Sequence, residues 1–232
     1  MKFCAVVVAA GRGTRFGQPK QLVDIAGRPM LWWPLRTFAS MDEVDSIVVV
    51  TERDWLADVA QVAADAAPEK LSGVVPGGAT RQISTYLGLT AVPENSEGVF
   101  VHDGARPLVT AEDVRRGMQP IRAGHASVLA VPVVDTIKVV DGERSVRETL
   151  DRSVLWAAQT PQFATLPDML MAHEAGKQSG VDATDDAMLL ERFGVTVHVV
   201  PGSPENFKVT VAEDHARAEH AMRALRDRDQ VR

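Results

Sequence analysis

Residues 1–23 contain no Asp or Glu, yet they carry Lys2, Arg12, Arg15 and Lys20, and the first carboxylate is Asp24. Within that stretch Gly11, Gly13 and Gly17 punctuate the segment AAGRGTRFGQPKQ at 9–21. Glycines there let backbone N–H groups crowd around an oxyanion, and Arg15 and Lys20 add side-chain charge. The whole chain has a formal net charge of −6. A basic island at the start of an acidic protein points to one small phosphate-bearing ligand, and away from a surface built for nucleic acid or anionic lipid.

Two commoner glycine loops fit poorly. An NTPase phosphate loop requires Gly-Lys-Ser/Thr after four spacers, and 9–21 has no Gly-Lys pair. A dinucleotide fingerprint requires Gly-x-Gly-x-x-Gly, but the third glycine comes one residue late, at Gly17, amid three cations. The same mismatch disfavours a nicotinamide-dependent dehydrogenase.

The elements that must hold this loop are legible from hydrophobic period. Apolar, β-branched runs at 3–10, 46–51, 98–101, 127–132 and 196–200 predict buried strands. Helical spacing at 30–40, 54–66, 81–91, 111–122, 166–177, 183–193 and 211–226 predicts helices between them, with Pro34 expected to kink or restart the first. Such alternation predicts an α/β fold: a mostly parallel sheet with helices on both faces, as one domain over 1–232. Ligands then bind beyond the carboxyl ends of the strands, where the glycine segment follows the first strand. Residues 131–155 break the alternation. Two extended segments flank the turn-like Asp141-Gly142, predicting an inserted β-hairpin that either extends the sheet or projects as an arm to grip a partner subunit.

With 45% apolar and 24% charged residues, the composition is that of an ordinary globular protein. No run approaches the ~18 apolar residues of a membrane span. The run at 3–10 imitates a signal peptide poorly, because cleavage there would remove the first core strand. Cys4, the single cysteine, lies inside that strand and reads as a core residue of a cytoplasmic protein. The four Trp residues read as core or interface, and no Cys/His cluster suggests zinc.

Taken together, Gly11-x-Gly13-Thr14-Arg15 with Pro19-Lys20 resembles the signature of nucleotidyltransferases acting on sugar and sugar-alcohol phosphates. Gly77-Gly78-x-x-Arg81-x-x-Ser84, His102-Asp103-x-Ala105-Arg106-Pro107, Asp135-Thr136-x-Lys138, Asp151-Arg152-x-x-Leu155-Trp156, Gln159-Thr160-Pro161-Gln162, Thr184-Asp185 and Lys208-Val209-Thr210 follow in the order of the 2-C-methyl-D-erythritol 4-phosphate cytidylyltransferase family. The resemblance spans nearly the whole chain. It implies a Rossmann-like fold, CTP and a sugar-alcohol phosphate as substrates, and a divalent ion such as Mg2+ held mostly by CTP phosphates, with Asp103 a candidate ligand. It further implies that Arg15, Lys20 and Lys208 are catalytic. Ala9, Ala10, Gly11, Gly13, Gly78, Arg81, Ser84 and Asp103 would bind the nucleotide, with His102 left structural. Asp103, Arg106, Thr136, Arg152, Thr160 and Lys208 would bind the acceptor. In the family the hairpin arm crosses to a second subunit, so a homodimer is expected in which Thr136 and Arg152 complete the partner's site. The chain departs from the family at Ala79, where an acidic residue often follows the two glycines.

Two competitors stand beside this reading. A ribitol 5-phosphate cytidylyltransferase shares fold, nucleotide and most motifs, and differs in acceptor. A non-catalytic nucleotide-binding module would be expected to lack some of Lys20, Arg15, Asp103 and Lys208, all of which are present.

Overall fold

The computed structural model describes residues 1–11 and 19–230, with side chains through residue 225. The run FCAVVV forms β1 (Phe3–Val8), buried on both faces. A small hairpin of β2 (Asp24–Ile25) and β3 (Arg28–Pro29) leads to α1 (Trp32–Ala39), β4 (Val44–Thr51), α2 (Leu56–Ala66), β5 (Leu71–Pro76) and α3 (Arg81–Leu89). Then come β6 (Gly98–Asp103), α4 (Ala111–Met118), β7 (Ala126–Pro132), β8 (Lys138–Val140), β9 (Val146–Thr149) and β10 (Trp156–Thr165). The chain closes with α5 (Leu166–Ser179), α6 (Asp186–Arg192), β11 (Val197–Pro201) and α7 (Ala212–Gln230).

The main sheet has seven strands in the order β11-β7-β10-β6-β1-β4-β5. All pairs are parallel except those of β10, which runs antiparallel to both β6 and β7. Along β1 the side chains divide between two cores: Phe3, Ala5 and Val7 meet α1, α2 and α4, while Cys4 and Val6 meet α3, α5 and α6. That double burial is why the strand reads as a continuous apolar run. Burial also raises the Cys4 thiol to about 11, so it is a core group. The chain walks from β1 outward to β4 and β5, then returns to the other side of β1 as β6. Such a reversal opens a crevice at the carboxyl ends of β1 and β6, the topological switch point. A third apolar cluster, including Ile25, Met30, Val209 and Met222, fastens the β2–β3 hairpin to α7 beside that crevice.

Several boundaries differ from expectation for physical reasons. Pro34 neither kinks nor restarts α1, because the helix begins at Trp32 and the proline falls in its first turn, where backbone N–H groups have no intrahelical acceptor. Pro120 ends α4 early, and a short 3-10 turn over Pro120–Ala123 follows, stopped by Gly124 at φ 82°. Strand β5 escaped notice because LSGVVP is short, contains Gly73 and is only half-buried at the sheet edge. Strand β10 escaped notice because Gln159-Thr160-Pro161-Gln162 reads as a loop; its pairing with β7 is interrupted there, the register shifting between Ala158 and Gln162.

The hairpin expected over 131–155 exists in a shorter form. β8 pairs antiparallel with β9 as a separate two-stranded sheet. Its turn is shaped by Asp141, whose Oδ1 accepts from the N–H of Glu143 and Ser145, and by Arg144 at φ 65°. The following residues turn through Arg152–Val154 and rejoin the main sheet as β10.

Candidate active site

Four chain segments rise above the carboxyl ends of β1, β4, β5 and β6 and enclose a cleft of about 620 Å3. Its walls include Ala10 and Gly11 after β1, Glu52 and Arg53 after β4, Gly77 and Gly78 after β5, and Asp103 closing β6. Lys20 and Lys208 line it from the other side. The tight turn after β5 depends on having no side chain. A Cβ at Gly77 would stand 2.7 Å from Ala10 Cβ and 2.8 Å from Ser84 Oγ. Ser84 holds that turn: its hydroxyl donates to the Thr80 carbonyl at 2.8 Å and accepts from Gly78 N–H at 3.1 Å. Thr80 in turn caps α3 by accepting from Ile83 N–H.

A smaller cleft of about 230 Å3 adjoins the first, lined by Arg106, Ala158, Gln159, Thr160, Thr184 and Asp185 among others. Arg81, Asp103 and Lys208 line both clefts and form the wall they share. Asp103 is gripped from two sides. Arg81 Nε donates to its Oδ1 at 3.0 Å and Lys208 Nζ to its Oδ2 at 2.7 Å. Burial alone would raise the Asp103 carboxyl, but the charges of Arg81 and Lys208 outweigh it and hold the group well below the usual carboxylate range. Asp103 therefore carries a full negative charge at neutral pH.

A buried relay fixes the backbone beneath Asp103. His102 donates from Nε2 to the Arg106 carbonyl at 3.1 Å, which leaves Nδ1 to accept the Thr160 hydroxyl at 3.2 Å. The same hydroxyl accepts from Asp103 N–H at 2.9 Å. Burial lowers His102 to about 3, so it stays neutral and structural. Asn206 completes the floor by donating to the Thr160 carbonyl at 2.8 Å.

Most residues anticipated from sequence converge here. Ala10, Gly11, Lys20, Gly78, Arg81, Ser84, Asp103 and Lys208 line the large cleft, and Arg106 and Thr160 the small one. Ala9 lies beneath the wall, its N–H donating to the Val50 carbonyl at 2.7 Å. Lys20 Nζ rests 3.1 Å from the carbonyl of Val209, the residue after Lys208. Arg106 donates from Nη1 to the Asn206 carbonyl. The Thr160 hydroxyl is engaged with His102 and Asp103, as described. Thr136 and Arg152 are exposed near the hairpin and line neither cleft, Arg152 donating to the Val134 carbonyl at 2.7 Å. Gly13 and Arg15 lie outside the described residues. Sequence reasoning missed Asp186, which binds Arg81 from behind, and His173, which binds Asp186, because an aspartate at a helix start and a histidine within a helix carry no distinguishing pattern.

Known proteins resemble this chain over most of its length. Residues 3–224 match the family described as "IspD: 2-C-methyl-D-erythritol 4-phosphate cytidylyltransferase". The 2-C-methyl-D-erythritol 4-phosphate cytidylyltransferase of Rubrobacter xylanophilus is 43% identical over 97% of this chain and 96% of its own. That of Halalkalibacterium halodurans is 39% identical over 92% and 94%. Among solved structures, the 4-diphosphocytidyl-2C-methyl-D-erythritol synthase of Anaerococcus prevotii superposes with a TM-score of 0.85 at 30% identity, covering 95% of this chain and 98% of that one. The cytidylyltransferase of Thermus thermophilus gives 0.78 at 31% identity, with 96% and 100% covered.

Proposed function

The chain belongs to the 2-C-methyl-D-erythritol 4-phosphate cytidylyltransferase family, and from that premise we propose how its two clefts divide the work. The enzyme transfers CMP from CTP to 2-C-methyl-D-erythritol 4-phosphate, giving 4-diphosphocytidyl-2-C-methyl-D-erythritol and pyrophosphate, a step of the non-mevalonate route to isoprenoid precursors. CTP takes the large cleft and the acceptor the small one. The observation carrying this division is the shared wall of Arg81, Asp103 and Lys208, where ligands in the two clefts would meet.

The acceptor's phosphate oxygen attacks the α-phosphorus in line and pyrophosphate leaves. A phosphate monoester is largely ionised at neutral pH, so the reaction needs no general base. It needs two polyanions brought together, which is a task of positioning and charge neutralisation. Lys20 and Lys208 line the large cleft and supply charge to the crowded phosphorus, and Arg15 adds to it from the glycine segment. Backbone groups at Ala10 and Gly78, with the Ser84 hydroxyl, present donors and acceptors to the cytosine edge. A base of another pattern would leave some of them unpaired. Arg106 and Lys208 face the acceptor's phosphate.

Among the described residues no three His, Cys, Asp or Glu side chains gather as a metal site. An ion such as Mg2+ would be held mostly by phosphate oxygens and water, with Asp103, whose two oxygens already accept from Arg81 and Lys208, as the candidate carboxylate. That ion would supply charge neutralisation along the triphosphate. In the same reading the chain is a single nucleotidyltransferase domain with an arm at about 131–155 that engages a second copy. Val134, Val154 and Trp156 are exposed there at 78%, 74% and 41%, and an uncovered apolar patch favours burial against a partner. Thr136 and Arg152 would reach the partner's acceptor cleft. The buried, single Cys4 suits a reducing cytoplasm, and no described helix is long and apolar enough to cross a membrane. The net charge of −6 argues against nucleic acid as a ligand.

The test is pyrophosphate release from CTP with 2-C-methyl-D-erythritol 4-phosphate and with ribitol 5-phosphate in separate reactions. Turnover with the first and not the second is expected; preference for ribitol 5-phosphate would reassign the acceptor.

A further inference from the structure

Behind the shared wall, outside both clefts, lie a carboxylate and an imidazole to which the transfer reaction gives no role. Asp186, the first residue of α6, is buried and accepts a bidentate contact from Arg81, Nη1 to Oδ1 at 3.2 Å and Nη2 to Oδ2 at 2.9 Å. Its Oδ1 also accepts from Nε2 of His173, a buried residue of α5, at 3.0 Å. The remaining imidazole nitrogen, Nδ1, has no hydrogen-bond partner among the described residues. Since Nε2 faces a carboxylate oxygen, it carries a proton and donates to Asp186. This chain of contacts runs from α5 through α6 to α3 and ends on Asp103.

We propose that Asp186, anchored by His173, is a positioning residue for CMP transfer, fixing the Arg81 guanidinium so that its Nε holds the Asp103 carboxylate in place. The proposal rests on the cytidylyltransferase reading of the two clefts. A guanidinium is a planar fork, so once both Nη groups are held by one carboxylate the direction of Nε is set as well. Arg81 then offers one oxygen of Asp103 a fixed donor and leaves the other to Lys208. Charge points the same way. Arg81 and Lys208 balance Asp103 and Asp186, a neutral quartet at the wall where polyanions must meet. Without Asp186 the quartet gains a positive charge, and Arg81 is released towards the nearest phosphate, abandoning Asp103. A buried ion pair is a poor device for stability alone, because desolvation offsets most of its attraction. A positional role accounts for charge where apolar packing would otherwise serve.

The experiment is a double-mutant cycle on the full chain, reading single-turnover CMP transfer and the KM for CTP, with folding checked by circular dichroism. Asp186→Asn is expected to lower the transfer rate at least about tenfold without raising the KM for CTP, because the released Arg81 turns to the triphosphate. In an Asp103→Asn background the same change is expected to cost less than about twofold, since its route of action has been removed. His173→Gln should give a smaller loss with the same dependence on Asp103, and it decides the matter should Asp186→Asn fail to fold. Losses that multiply across the cycle, or a folded variant with wild-type rate, overturn the proposal. A wild-type chain that transfers no CMP overturns the cytidylyltransferase reading instead, and an active wild type with independent losses overturns only the role of Asp186.

Discussion

The ammonium of Lys208 lies 2.7 Å from Oδ2 of Asp103, across 105 residues of sequence, at the wall between the two clefts. A lysine paired in this way is held on site without being neutralised by an obligatory partner, because Asp103 also answers to Arg81. When phosphates arrive, its remaining donors face them. Lys208→Met is therefore expected to lower kcat by about 10²-fold, as for loss of one charged donor at a developing transition state. Steady-state pyrophosphate release reads this directly. A change confined to thermal stability would remove Lys208 from the chemistry.

His102 sets a pH dependence of stability. Its folded value is lowered to about 3 from 6.5 by burial, so between these values the unfolded chain binds a proton that the folded chain refuses. Acid then favours unfolding. The contribution is intact above about pH 6.5 and is lost progressively as pH falls towards 3, at about 1.4 kcal/mol per pH unit for one group. Asp103 and Asp186, both depressed in the folded state, add losses of the same sign only below about pH 4. Urea unfolding at pH 6, 5 and 4 should approach this slope, and His102→Gln should reduce it by that amount. An unchanged slope in the variant contradicts the assignment.

Gly77 should be intolerant of any side chain. The Cβ would stand 2.7 Å from that of Ala10, which cannot rotate away. Overpacking of this kind costs about 1–3 kcal/mol. Because the strain falls between two walls of the large cleft, proposed for CTP, Gly77→Ala is expected to raise the KM for CTP by about tenfold with a smaller effect on the KM for the acceptor. Equal effects on both would place the strain elsewhere.

The arm makes a prediction of its own. Arg152→Ala should damage acceptor use chiefly, seen as a raised acceptor KM with CTP binding preserved. Mixing Arg152→Ala chains with Lys20→Ala chains should restore activity in the heterodimers, since one of the two sites in each then receives both intact residues. No recovery after demonstrated subunit exchange would confine each site to a single chain.

Much of this was legible in the residues, for identifiable reasons. Strands buried on both faces, such as β1 and β4, announce themselves as apolar runs, and the Asp141-Gly142 turn marks the hairpin. Edge strand β5 and the interrupted β10 do not, because half-burial and a proline at the register shift erase the pattern. The cleft-lining residues stood out because they follow strand ends in ordered motifs. The anchors behind them could not. Asp186 meets Arg81, and His173 meets Asp186, only through tertiary packing, 105 residues separating Arg81 from Asp186, and three aspartates at 182, 185 and 186 give the sequence no means of choosing among them. The Thr160 hydroxyl is a related lesson: a motif position expected to meet substrate is engaged with His102 and Asp103.

Lys20 is the side chain on which the account of CMP transfer bears most heavily, lining the large cleft beside the Lys208 segment. The decisive measurement is kcat for pyrophosphate release by Lys20→Ala at saturating CTP and 2-C-methyl-D-erythritol 4-phosphate, with the variant shown to be folded. A fall of about 10²-fold or more is predicted. Near-normal turnover would contradict CMP transfer at this cleft by the arrangement described.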